Sequence, residues 1–188
     1  QPGDEDDYFQ SSLFTIARRR ILWLLILVLA NGLTTKVIAM NDQILKEIVL
    51  LAAFIPLLIG TGGNVGAQSS TVVIRGLSTQ KLKSLGAIKA VFKEAITGAL
   101  LGVLMMLVVF PFAWWQGEGT LIASAVGISL ISITTLAATT GAILPLLFDR
   151  MRLDPALMSS PFITTVTDIA GVFIYLSTAK WLLSSQLI

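Results

Sequence analysis

Five long windows of this chain, 21–40, 48–74, 95–115, 121–148 and 159–182, are almost free of charge. Only Lys36, Asp168 and Lys180 interrupt them. A bilayer core of roughly 30 Å is spanned by about 20 helical residues, so each window is long enough to cross. The windows lack the strict alternation of a lipid-facing barrel strand. Composition agrees: 55% of the 188 residues are hydrophobic and 13% are charged, where a soluble domain carries about 25% charge. Mean hydropathy is +0.85. The expectation is an all-α integral membrane protein of five transmembrane helices.

Cysteine and histidine are both absent. Disulfides, thiolate metal sites, imidazole ligands and the usual general base are therefore excluded. Any cation chemistry must use oxygen, and nothing in the chain suggests an enzyme. A net charge of +2 is too small to suggest nucleic acid. The distribution of basic residues says more. With the N-terminus in the cytoplasm, Arg18, Arg19, Arg20, Arg75, Lys81, Lys83, Lys89, Lys93, Arg150 and Arg152 lie inside, against Lys36, Lys46 and Lys180 outside. That bias orients the N-terminus inward and the C-terminus outward. Trp114, Trp115 and Trp181 then fall at outer span ends, as interfacial aromatics do. Residues 1–17, which open acidic and show no signal peptide, read as a linker or tail ahead of a membrane domain at 18–188. The basic loop 76–94 reads as a topology determinant with an amphipathic stretch on the inner surface.

Two windows carry the chemistry. The second runs PLLIGTGGNVGAQSST over 56–71, with four glycines, a proline and several amides and hydroxyls. Such a segment is tolerated where protein buries it or where it lines a wet cavity. Thr61, Asn64, Gln68 and Thr71 fall on one helical face and suit hydrogen bonding to water around an ion; close helix packing is the alternative. The fifth window holds Asp168, seven residues beyond Pro161 and so about 10 Å deeper along a helix. A carboxylate at that depth is costly unless it meets water, a partner or a cation. Ser160, Thr164 and Thr167 share a face with it, and Pro161 frees a carbonyl, placed by this reading among residues 160–164. Gly98 and Gly102 form a GxxxG packing signal, and Ser129, Ser132, Thr135, Thr139 and Gly141 form a small hydroxylic stripe. Glu94 and Asp149 sit at cytoplasmic span ends, as an inner mouth or as ordinary solvated charges.

The stretches PLLIGTGGNVGAQSSTVVIRGL (56–77) and DPALMSSPFITTVTDIAGVFIY (154–175), in that order, resemble the signature of the MgtE family of magnesium channels. The likeness covers roughly 18–188. It implies a homodimer in the bilayer of the plasma membrane, the inner membrane of a bacterium, with the pore on the two-fold axis. It further implies that Asp168 binds a hydrated Mg2+, with Asn64, Ser160, Thr164, Gln68 and Thr61 around the pore or the ion's water shell. Mn2+, Co2+ and Ca2+ are the expected competitors. Typical members carry an acidic N-terminal domain and CBS domains that sense magnesium; neither is present in this sequence, so that regulation is not carried over. Residue chemistry fits the implication, because Mg2+ usually keeps several waters and needs a wide, charged, hydrogen-bonding site. A secondary transporter coupled to Na+ or H+ is the alternative, since a broken-helix segment and one buried acid suit it too.

Overall fold

A computed structural model describes residues 12–79, 82 and 86–184, and within them every regular element is helical. Among the described residues six α-helices follow in order: α1 (Leu13–Ala39), α2 (Asp42–Glu47), α3 (Val49–Ser78), α4 (Ala87–Ala113), α5 (Gly119–Arg150) and α6 (Pro155–Ser184). A π-helical turn, Trp114–Glu118, joins α4 to α5. Among the described residues four helical stretches are long and apolar enough to cross a membrane: Val49–Ser78, Ala87–Gln116, Gly119–Arg150 and Ser159–Ser184. They match the second to fifth expected spans. In α1 the apolar stretch among the residues described in full is Leu24–Ala39.

The helices outrun the charge-free windows because helix formation does not stop where apolarity does. Ser12 starts α1 early by accepting the Thr15 N–H at 3.3 Å. Helix α4 begins at Ala87 and takes in Lys89, Lys93 and Glu94, so the expected loop 76–94 shortens to the segment between Ser78 and Ala87. Much of that segment, like tail residues 1–11, lies outside the described residues. Pro56, Pro111, Pro145 and Pro161 all sit inside continuous helices. Each lacks an N–H and leaves the carbonyl four residues earlier without its helical donor.

Helix α5 is the hub; α3, α4 and α6 pack on it, whereas α1 leans on α6. At the end holding α2, large side chains fill the core: Leu51, Phe54, Leu58, Ile122, Leu130, Tyr175 and Leu176 are buried. Toward the opposite end the core narrows to Val65, Ala137 and Ala138, and glycines bring backbones together. A Cβ at Gly98 would stand 2.5 Å from the Thr134 carbonyl oxygen, and one at Gly102 2.5 Å from the Ile131 Cα. The GxxxG signal is thus a packing device, and α5 is its partner. A Cβ at Gly141 would collide with the Gly66 carbonyl oxygen of α3. Trp114, Trp115 and Trp181 point away from the bundle, 56%, 79% and 64% exposed.

Candidate functional site

Helices α3 and α6 run antiparallel, and three glycines of α3 set how closely. A Cβ at Gly62 would meet the Thr167 methyl at 2.5 Å, one at Gly66 would meet the Ile163 Cγ2 at 2.5 Å, and one at Gly63 would lie 3.9 Å from the Thr164 methyl. Continuing that register, Asn64 stands level with Thr164, Gln68 with Ser160, and Gly60 and Thr61 with Asp168. Successive levels are about 6 Å apart, four residues at 1.5 Å each. The residues singled out from the sequence therefore form one stripe along the α3–α6 seam.

Most of this stripe faces out of the bundle. Asn64, Gln68, Thr71, Ser160 and Thr164 are exposed, while Thr61 and Asp168 are half-buried. Beside Asp168, a Cβ at Gly60 would meet nothing within 4 Å. Among the described residues Asp168 has no hydrogen-bond or ion-pair partner, the one ion pair being Lys46 with Asp42 on α2. No three Asp or Glu side chains among the described residues come close enough to hold a metal. Among the described residues of the stripe, a single chain offers one carboxylate, Asp168.

The threonines are held by their own helices. Thr61 Oγ1 donates to the Leu57 carbonyl at 2.7 Å, Thr71 Oγ1 to that of Ala67 at 2.9 Å, and Thr164 Oγ1 to that of Pro161 at 3.0 Å. Two expectations are corrected here. Thr167 does not join the open face: it is fully buried, with its hydroxyl on the Ile163 carbonyl at 2.6 Å. The carbonyls of Ser160 and Pro161 are not free either, since the Thr164 and Thr165 hydroxyls donate to them. The carbonyl that Pro161 releases is the one at 157.

On α5 the hydroxylic stripe serves packing. Ser132, Thr135 and Thr139 donate to carbonyls one turn back, Ser129 is fully buried, and Gly141 meets the α3 backbone. Asp149 is exposed and lines a cavity of mixed polar and apolar walls with Ser78 and Arg150. Glu94 is half-buried at the same end of the bundle and does not line that cavity. Sequence reasoning missed the open flank at Gly60, whose only signal was a glycine one turn before Asn64.

Chemically, the stripe offers a carboxylate, two amides and several hydroxyl oxygens in a line. Comparison with known proteins bears on what such a line handles. The profile of the MgtE family, described as a divalent cation transporter, matches residues 55–178. The magnesium transporter MgtE of Thermus thermophilus is 38% identical over 166 residues, which cover 88% of this chain and 37% of that protein. The magnesium transporter MgtE of Bacillus subtilis is 33% identical over 179 residues, 93% of this chain and 39% of its own length. That of Enterococcus faecalis is 33% identical over 168 residues, 87% and 36%. The chain spans less than two-fifths of the length of these curated relatives.

Proposed function

Because the chain belongs to the MgtE family, a family of divalent cation transporters, we propose that it conducts magnesium through a pore formed between two copies. The observation that carries this reading is the exposed polar stripe on α3 and α6. Lipid offers nothing to the Asn64 and Gln68 amides or to the Asp168 carboxylate, so leaving them against acyl chains is costly. A second copy related by a two-fold axis relieves that cost. It closes the stripe into a water-filled passage and brings a second Asp168 opposite the first, giving two negative charges for a divalent ion.

In this passage the ion keeps its water. Mg2+ dehydrates reluctantly and prefers octahedral oxygen at about 2.0–2.1 Å, so the two carboxylates accept hydrogen bonds from its shell rather than replace it. Thr61, Asn64, Thr164, Gln68 and Ser160 carry the hydrated ion along the seam. Mn2+, Co2+ and Ca2+ compete for the same oxygens. Helix α1 completes a set of five spans. Near its outer end Lys36 is accommodated because its long side chain can carry the ammonium to the surface, and its N-terminus lies on the basic, cytoplasmic side of the plasma membrane.

Magnesium flux into liposomes holding the purified chain and an internal magnesium dye tests the reading. We expect flux that persists, with no change in rate, after sodium and proton gradients are abolished. Flux that requires either gradient contradicts a pore. Two threonine variants separate lining from packing. Thr164→Val, on the open face, should lower flux about fivefold, the loss of roughly 1 kcal/mol of hydrogen bonding to the ion's water. Thr167→Val, buried and nearly isosteric, should leave flux within twofold of the parent (about 0.4 kcal/mol). Equal effects from the two would remove Thr164 from the passage.

A further inference from the structure

The side of the bundle formed by α4 and α5 holds a second binding feature, independent of the transport pathway. These helices touch closely where Gly98 meets Thr134 and Ala138. Toward their basic ends they splay. The gap is an apolar groove of about 490 Å³, lined by Val91, Phe92, Ala95, Ile143 and Leu147 among others, with Arg150 at its end. It runs from Ala95 to Ala87 on α4 and from Thr139 to Arg150 on α5, roughly 12–16 Å along the helix axes. At that end it shares Ala87, Leu146 and Arg150 with a cavity of about 510 Å³ whose lining is mixed, Leu77 and Leu82 beside Ser78 and Asp149. Each volume lies within the range of roughly 300–1,000 Å³ usual for ligand sites.

We propose that this compound site binds a glycerophospholipid of the leaflet on the basic side, one acyl chain in the groove and the phosphate against Arg150. Three observations select that occupant. An almost wholly apolar groove is joined end to end with a cavity of mixed, more polar lining, which is the shape of an amphiphile. Among the described residues Arg150 has no ion-pair partner, so a cation stands free where a phosphate would arrive, at the depth where basic side chains meet headgroups. Of the four long apolar helices α4 is also the least covered by its own chain, with 11% of its apolar window buried, so the groove opens toward lipid. It lies on α5's flank with α4, away from the α3–α6 seam.

The test uses phosphatidylglycerol with a diazirine midway along one acyl chain, in phosphatidylethanolamine liposomes holding the full chain. After illumination, labelled peptides are mapped by mass spectrometry. We expect labelling concentrated at 87–95 and 139–150, well above that at 103–108 of α4, whose exposed Val103, Leu104, Leu107 and Val108 report ordinary lipid contact. Ile143→Trp, at a site 45% exposed and so tolerant of a larger side chain, should fill the groove and cut its labelling about tenfold. Arg150→Gln should cut it about fivefold, the contribution of one basic residue to an anionic headgroup. Labelling at 103–108 should not change in either variant. The proposal is overturned if the groove labels no more than 103–108, or if both substitutions leave it unchanged. It is equally overturned if Ile143→Cys, in this cysteine-free chain, forms a disulfide between two copies in the liposome, since a second protein face would then occupy the groove.

Discussion

Magnesium flux through the Asp168→Asn chain should fall at least a hundredfold, and through the Asp168→Ala chain as far. A divalent ion about 5 Å from one carboxylate, at an effective dielectric near 20, is attracted by roughly 7 kcal/mol before hydration changes. If only about 2.7 kcal/mol of that survives, occupancy drops a hundredfold, and symmetry removes both carboxylates at once. Asparagine keeps the size of aspartate, and Asp168 has no partner among the described residues to lose, so the helices should pack as before. Gel filtration and helical circular dichroism should match the parent, while dye-reported flux in liposomes vanishes. Parental flux in a folded asparagine variant would end the proposal that this carboxylate holds the ion.

The second large effect concerns stability. Gly141→Ala should lower the melting temperature in detergent by roughly 4–8 °C, about 2 kcal/mol on the scale of a domain this size. Its added methyl meets the carbonyl group and Cα of Gly66, which are backbone and cannot rotate away. Helices α3 and α5 must separate instead, and the Gly66 stretch of α3 moves off Ile163 of α6. Gly60→Ala is the control, because its methyl meets nothing and alanine favours helix by about 1 kcal/mol. It should melt at or above the parent temperature. If both alanine variants melt alike, the close contact of α3 with α5 is not what limits stability.

Much of this architecture was legible in the sequence. Windows without charge located four long apolar helices, because exclusion of charge from hydrocarbon is a strong and local rule. Helix ends were less legible: α4 starts at Ala87 rather than near Ala95 because Lys89, Lys93 and Glu94 are good helix formers that need no lipid. The Gly98 and Gly102 pair announced a close contact but not its partner, since a helix periodicity names a face and says nothing of what covers it. Thr167 shows the same limit at the site. On a helical wheel it stands only about 20° from Ser160, yet Ser160 is exposed and Thr167 fully buried. Gly62, more than a hundred residues earlier, lets α3 close over the one and not the other. The stripe of Asn64, Gln68, Thr164 and Asp168 was readable because polar residues stand out in an apolar span. Its antiparallel register, which pairs Asn64 with Thr164, was not.

The hydroxyl protons of Thr61, Thr71 and Thr164 are all committed to carbonyls of their own helices. What these side chains turn outward is therefore lone pairs, and the Asp168 carboxylate adds more of the same. A solvated cation presents the hydrogens of its water, which such a wall welcomes. A solvated anion such as chloride presents water oxygens and meets electron density with electron density. Rejection of anions would thus follow from the Asp168 charge and be reinforced along the rest of the seam by which way three small dipoles are fixed.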